Sequence, residues 1–557
     1  MKTASELDRR RFLQGVGGAA AAIAAFTPGR ALASPDASDG EELALEGGPL
    51  SRRQRSLQLR RDVALEEFKV PVPRHRNNGD EERYPNRIGS FSKGLVHNRL
   101  GEVDLASYAS LHHALSTGEP EDFERIIMGA PQGQQVKLVN PQAGLAFDLE
   151  GTDSHQMALG PPPALASAER AGEAVECYWM ALLRDVNFTR YASDATALEA
   201  SDELSRMSDF RGPKENGRVT PLTLFRGFTT GDLIGPYVSQ FLLKTVDFGA
   251  VTVEQKFNTY RPGTDYMIDP ASWLAVQDGR GPFPSNQIDP RPRHIRNGRD
   301  LSAYVHIDVL FEAYFNACLW LIDNGAPLNR GNPYGSNRSR TQVGFGMFGA
   351  PHVKALLAEV ATRALKAVWF QKWFVHRTLR PEEFGGLVHF RKTGEADYPL
   401  HSDVLNSQAV ARTFQRNGTY FLPHAFPEGC PQHPSYGQGH ATVAGACATI
   451  VKAFFDDSFM LSGITDIVQA SEDGLSLAPY TGQDVDRITV GGEMNKTAAN
   501  VGVGRNHAAV HWRSDYADSL PLGEAIAISV LRDQRPTCNE HFEGFTFTKF
   551  DGTQIIV

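Results

Sequence analysis

The sequence predicts a mainly α-helical, bundle-like fold with minor β-hairpins, and three observations carry that prediction. First, small or apolar residues at Val353, Leu356, Leu357, Val360, Ala361, Ala364, Leu365 and Val368 repeat at i, i+3, i+4 and i+7, which predicts a helix from Val353 to His376 with one buried face. Second, three other stretches read as helical: LSAYVHIDVLFEAYFNACLWLIDN, HATVAGACATIVKAFFDD and EMNKTAANVGVGRNHAAVHWRSDYADSLPLGEAIAISVLRD, the last long enough to break into two or three helices. Third, only two places read as hairpins, QQVKLVNPQAGLAFDLEG and the C-terminal FTFTKFDGTQIIV with Asp551 and Gly552 at its turn.

In chain order, the N-terminus reads DRRRFLQGVGGAAAAIAAFTPGRALA, where Arg9 and Arg10 precede Phe12 and Leu13, a small apolar run follows, and Ala31-Leu32-Ala33 closes it. This is the pattern of a twin-arginine export signal over residues 1–33, cleaved after Ala33, and it implies a periplasmic or secreted mature protein. The apolar run is well short of the roughly 20 residues that span a bilayer, so no membrane association is expected after cleavage. Residues 34–66 are polar and charge-rich, a linker or N-terminal arm closing with a short helix. Residues 67–557 alternate apolar runs with turn clusters and show no repeat, which fits one helical domain with its chemical motifs between 369 and 515.

Composition narrows the function. An apolar share of 41% and a charged share of 22% exclude a disordered or collagenous chain, and 557 residues suffice for one large or two medium domains. Residues 1–33 hold five Lys or Arg and two Asp or Glu; without them 56 basic residues become 51 and 65 acidic residues become 63, a net charge of −12. So acidic a chain argues against nucleic acid or an anionic membrane as partner. The five cysteines, Cys177, Cys318, Cys430, Cys447 and Cys538, are odd in number and scattered, which gives neither a disulfide framework nor a zinc pattern.

Against that acidic background, one loop asks for an anion. HPSYGQGHA, from His433 to Ala441, puts Gly437 and Gly439 at a helix start, where backbone N–H groups and the positive end of the helix dipole face outward, with His440 beside them. The charges come from two other segments. Four residues beyond Val368 stands Lys372, and eight further stands Arg380, so the two share a face if the helix persists. GRNHAAVHWRSD adds Arg505, His511 and Asp515; four apart on a helix, Asp515 accepts from one ring nitrogen of His511 and fixes which nitrogen faces the site. Singly, each has a plainer role: Lys372 and Arg380 snorkel or pair with Glu382, His511 and Asp515 make a surface pair, and the glycines are turn residues. Together, Lys372, Arg380 and Arg505 offer up to three positive charges, matched to a tetrahedral oxyanion of charge minus two or minus three such as phosphate or vanadate. Trp369, one turn before Lys372, should line the pocket, and Asp308, inside an apolar run, should either pair with a basic residue or be an exposed helix carboxylate.

The segments KWFVHRTLRP, HPSYGQGHAT and GRNHAAVHWRSD, in that order, resemble the three motifs of the vanadium-dependent haloperoxidases, above all the algal bromoperoxidase type. Supporting stretches such as NNGDEERYPNRIGSFSKGLVHN and LFRGFTTGDLIGPYVSQFLL extend the similarity from about residue 70 to about residue 530. Related acid and lipid phosphatases share the motifs with a slightly shorter first spacing. The resemblance implies that His511 binds vanadium through a ring nitrogen and that Lys372, Arg380 and Arg505 neutralise the vanadate oxygens. It further implies that Gly439 donates its backbone N–H to one of those oxygens, that His440 is the general acid/base, and that His433 tunes activity from just outside. The implied partners are hydrogen peroxide, a halide and a small organic acceptor, with vanadium acting as a Lewis acid, and the resemblance suggests a homo-oligomer.

One position departs from the pattern. The family reads Pro-Ser-Gly-His where this chain reads Gly-Gln-Gly-His, so Gln438 replaces a serine whose hydroxyl bonds a vanadate oxygen. A glutamine amide can donate too, but it has to fold back or shift the loop, which Gly437 permits; the anion is expected to bind with altered affinity or halide preference. Three functions follow. The first is a haloperoxidase that oxidises bromide or iodide rather than chloride to a hypohalous acid that halogenates organic acceptors. The second is a phosphomonoesterase with phosphate as its only ligand, in which His511 is the nucleophile and His440 protonates the leaving alkoxide. The third is a non-redox member made so by Gln438. The spacing from Lys372 to Arg380 and the presence of His433 favour the first.

Overall fold

The computed structural model describes residues 52–335 and 338–557. The twin-arginine segment and the start of the polar arm lie outside the described residues. The chain divides into two units at Leu65 and Glu66, and helix α1 (Arg52–Lys69), which runs across that division, buries none of its residues. All that follows belongs to the unit from Glu66 to Val557.

The expectation of a helical bundle is met. The helices that frame the site are α2 (Ala168–Leu183), α3 (Gly298–Ile307), α4 (Glu312–Asp323), α5 (Ala350–Phe370), α6 (Pro381–Thr393), α7 (Gly439–Phe454), α8 (Val490–His507) and α9 (Arg513–Gln534). Side-chain caps start several of them: Ser167 accepts from Arg170 N, Asn297 from Asp300 N and Thr489 from Gly492 N, each satisfying an amide that the helix itself leaves open. At the centre lies α7, in which every residue except His440 is buried. Its small side chains let it touch α9 backbone to backbone: a Cβ on Gly445 would stand 2.1 Å from the Leu520 carbonyl oxygen, and one on Gly523 1.9 Å from that of Thr442. This crossing fixes the start of α7 against the second turn of α9, where the Gln438 backbone N–H donates to Ser519 Oγ at 2.8 Å.

Several boundaries differ from the sequence reading. The stretch LSAYVHIDVLFEAYFNACLWLIDN is two helices, α3 and α4, which meet at 97° because the backbone is extended at Asp308. The helix expected from Val353 to His376 ends at Phe370 and passes into a wider π-type turn, Gln371–His376, after which Arg377 takes a left-handed φ of 42°. Lys372 and Arg380 therefore do not share a helix face; Arg380 is the residue that starts α6.

Three small antiparallel hairpins decorate the bundle: β1 (Val246–Phe248) with β2 (Val251–Val253), β3 (Val468–Ala470) with β4 (Leu477–Pro479), and β5 (Thr546–Thr548) with β6 (Gln554–Ile556). The last is the expected C-terminal hairpin, turning through Gly552 at φ 83°. The other expected hairpin, over QQVKLVNPQAGLAFDLEG, does not form. Its residues bond elsewhere, Val136 N to the Gly279 carbonyl and Val139 N to that of Gln432, and Pro141–Leu145 is a 3-10 turn. The five cysteines are all free thiols. Among the described residues no single helix is long and apolar enough to cross a membrane.

Candidate active site

Four elements bring the predicted charges to one buried place. Lys372, fully buried on the π-type turn, donates from Nζ to the carbonyls of Pro434 and Ser435, each at 2.8 Å, and lies 5.8 Å from the Trp369 ring. Arg380 reaches two segments with three bonds: Nε donates to His433 O at 2.9 Å, Nη1 to Val510 O at 2.6 Å, and Nη2 to His433 Nδ1 at 2.9 Å. Nη1 also stands 2.9 Å from His511 Nε2. Arg505, in the last turn of α8, donates from Nη1 to Val305 O at 2.6 Å and lies over the Phe426 ring, while its buried Nε has no partner.

His511 and Asp515 pair as the spacing predicts, but by another local structure. His511 lies outside the helix, one residue before the N-cap Trp512 of α9, and Asp515 is the third residue of α9. The Asp515 Oδ2 atom takes the Trp512 amide at 3.1 Å, the usual satisfaction of a helix start, and also faces His511 Nδ1 at 2.7 Å. With Nδ1 donating to a carboxylate, the Nε2 lone pair points at the cations.

His440, second residue of α7, has Nε2 3.0 Å from Asp308 Oδ1, whose side chain is buried. Asp308 thus pairs with a basic group, as one of its two expected roles required, and the 97° bend is what turns it inward. Trp369 forms a wall: its indole donates to Val139 O at 3.0 Å, its ring centroid is 4.8 Å from that of His433, and a Cβ on Gly439 would come 3.1 Å from it. Gln438 is the N-cap residue of α7, but its amide turns to α8, donating to Gly502 O at 3.2 Å with Asn506 Oδ1 at 3.5 Å, and its buried Oε1 has no partner. The fold-back considered for this side chain is not adopted; it bonds to none of the four groups around the anion site.

The electrostatics follow from packing these groups together. Burial pushes the Lys372 ammonium well below its usual range, and Arg380 and Arg505 push it further against a partial offset from Asp515. Burial brings Arg505 down to about 10, with Asp308 opposing and Arg380 reinforcing. His511 and His433 lie well below the usual imidazole range, first through burial and then through the cations. His440 is lowered by burial, partly restored by Asp308 and lowered again by Arg505. Every one of these groups would be relieved by an anion among them. The amides of Gly439, His440 and Ala441 point out of the start of α7 with no acceptor among the described residues. A tetrahedral oxyanion with a free coordination position for Nε2 fits this donor set: three cations, open helix amides, an unpaired guanidinium Nε and one oriented imidazole.

A second cluster has metal-ligand spacing, Glu382, His424 and Cys430. Its carboxylate is already taken by a cation: the Lys93 ammonium donates to Glu382 Oε2 at 3.1 Å and to the backbone carbonyls of Glu428 at 2.8 Å and Cys430 at 2.6 Å. Sequence reasoning passed over Ser435, inside the quoted loop, whose hydroxyl donates to Asp515 Oδ2. It also passed over Arg170, Glu173 and Glu176 on α2, which hold the start of α9 through Ser514 N and Arg513. Nothing local marks Ser435, Glu173 and Glu176, because their partners at the start of α9 lie 80 to 341 positions away.

Residues 355–539 match the family model described as the VCPO second helical-bundle domain. The chain is 36% identical over 560 residues to the vanadium-dependent bromoperoxidase of Corallina pilulifera, covering 86% of this chain and 93% of that protein. It is 35% identical over 496 residues to the vanadium-dependent bromoperoxidase of Ascophyllum nodosum, covering 86% and 87%. A solved structure, the homohexameric second vanadate-dependent bromoperoxidase of Ascophyllum nodosum, superposes with a TM-score of 0.88 at 31% identity over 96% of this chain and 94% of that one.

Proposed function

The chain belongs to the vanadium-dependent haloperoxidase family, and we propose that the pocket of Lys372, Arg380, Arg505 and His511 holds its vanadate. The enzyme uses vanadate and hydrogen peroxide to oxidise halide. The observation that carries the assignment of the pocket is the buried excess of positive charge around an imidazole whose Nδ1 is held by a carboxylate and whose Nε2 faces the Arg380 guanidinium at 2.9 Å, among the cations.

In this reading, His511 Nε2 is the protein ligand to vanadium. Lys372 Nζ, the Arg380 and Arg505 guanidinium groups and the Gly439 amide hold the oxygens, replacing the water that burial excludes. When bound, vanadate would supply a Lewis acid that activates hydrogen peroxide, the two-electron oxidant of the halide, with the vanadium itself unchanged in oxidation state. His440 supplies the proton traffic. Asp308 faces its Nε2, which leaves Nδ1 to take a proton from incoming peroxide, and burial keeps the ring neutral and ready to do so. His433, bonded to Arg380 and tilted against the Trp369 ring, sets the position of that guanidinium.

Bromide or iodide is preferred over chloride because the Trp369 wall suits a large polarisable anion, and the product halogenates a small organic acceptor. The chain assembles as a homo-oligomer, a reading supported by the homohexameric neighbour. The residues 1–33 pattern supports twin-arginine export to the periplasm or beyond. The deciding experiment reconstitutes purified protein with orthovanadate and supplies peroxide, each halide in turn and a phenolic acceptor. Bromination and iodination should outrun chlorination. Hydrolysis of a phosphomonoester, inhibited by vanadate and without halogenation, would replace this function with the phosphatase one.

A further inference from the structure

We infer that Ser435 is a positioning residue for the vanadium ligand: its hydroxyl locks Asp515, and through Asp515 the His511 ring, while its backbone carbonyl holds Lys372. The inference rests on the reading of His511 as that ligand.

Three bonds converge on one oxygen of Asp515. Oδ2 faces His511 Nδ1 at 2.7 Å, takes the Trp512 amide at 3.1 Å and accepts the Ser435 hydroxyl. Oδ1 is buried without a partner. Two of the three donors, His511 and Trp512, belong to the same short segment as Asp515 and move with it. Ser435 belongs to a different segment 80 positions away; the same loop already holds the Asp515 backbone, whose carbonyl accepts from Gln438 N at 3.1 Å, so the Ser435 hydroxyl is the bond from that loop to the carboxylate itself.

The rest of Ser435 is equally committed. It is fully buried, its amide donates to Thr378 O at 3.0 Å two residues before Arg380, and its carbonyl accepts from Lys372 Nζ at 2.8 Å. One residue therefore sets the relative positions of a cation, the approach to a second cation and the carboxylate behind the imidazole. Removing the hydroxyl alone leaves both backbone bonds in place, so the cations stay where they are. What is lost is the restraint on Asp515 and on the ring that leans on it, the kind of outer contact that tunes metal affinity by about 10- to 100-fold.

This separates two anions. Vanadate takes a coordinate bond from His511 Nε2, which is sensitive to ring orientation; inorganic phosphate uses the cations and helix amides alone. Equilibrium dialysis of the full chain, with orthovanadate and with inorganic phosphate, is run on wild type, Ser435→Ala and the hydroxyl-retaining Ser435→Thr. Ser435→Ala should weaken vanadate binding about tenfold or more while phosphate changes by less than about twofold, and Ser435→Thr should keep most of the vanadate affinity. Equal loss of both anions, or undiminished vanadate binding, overturns the inference. If thermal unfolding shows that Ser435→Ala does not fold, Ser435→Cys, whose thiol is a weak donor, carries the same comparison. Wild-type protein that binds vanadate no better than phosphate would instead defeat the His511 reading itself, an outcome distinct from failure of the Ser435 contrast.

Discussion

Gln438→Ala asks whether the glutamine at the head of α7 serves the anion or the fold. The side chain donates to Gly502 O on α8 and leaves Oε1 buried without a partner, and it bonds to none of Lys372, Arg380, Arg505 and His511. Truncation removes one neutral hydrogen bond, about 1 kcal/mol, and opens a void worth roughly 2 kcal/mol. It also deletes an unpaired buried oxygen, which returns about 1–3 kcal/mol. The net loss of stability is about 1–2 kcal/mol or less, read by chemical denaturation, and vanadate affinity by dialysis should stay within about twofold of wild type. Gln438→Ser goes further: a hydroxyl at this N-cap adds one donor worth about 1 kcal/mol, a roughly fivefold gain in vanadate affinity. A tenfold loss of vanadate affinity in Gln438→Ala would refute the argument, because the amide would then be a ligand.

The other predictions concern the charges. Arg505→Met should leave thermal stability within about 1 kcal/mol, since a buried guanidinium already brought down to about 10 with an unpaired Nε contributes little. The same variant should bind vanadate roughly 10- to 150-fold more weakly, the worth of a charged hydrogen bond, and unchanged affinity would remove Arg505 from the site. Asp308→Asn deletes the charge that raises His440, so the imidazole falls further and the His440-dependent limb of the pH–rate profile should move to lower pH; an unmoved limb contradicts the pairing. Sulfate, whose charge is constant, probes the pocket without titrating itself. Lys372, His433 and His511 are depressed in the free protein and are raised by a bound anion, so binding takes up protons and sulfate affinity should rise as pH falls below the ordinary lysine range. Calorimetry in two buffers should register that uptake; proton release would reverse the sign of the electrostatic argument.

Much of this site could be read before any coordinates because its donors are charged, and burying charge requires a purpose. Lys372, Arg380, Arg505, His511 and the head of α7 were legible from spacing and from family resemblance. What was not legible was the backbone that delivers them. Helical periodicity runs smoothly through Phe370, so nothing in the pattern announces the wider turn that carries Lys372 or the left-handed Arg377 that releases Arg380 to start a new helix. A four-residue spacing suggested that His511 and Asp515 share a helix, whereas a helix start gives the same pairing by using the carboxylate to satisfy the Trp512 amide. The hairpin over residues 134–151 failed because alternation records only half-burial, and Val136 and Val139 bond to distant segments instead of each other. Gln438 misled for a related reason: its motif position is at the anion, but its longer side chain finds a carbonyl on α8.

The central claim is that an imidazole held from behind and three buried cations seize one oxyanion. A crystal structure of the vanadate-loaded protein tests it most directly. The account predicts vanadium bonded to His511 Nε2, with oxygens within hydrogen-bonding distance of Lys372, Arg380 and Arg505 and of the Gly439 amide. Density for vanadate anywhere else, or a pocket that stays filled by the direct contact of Arg380 with His511, would contradict it.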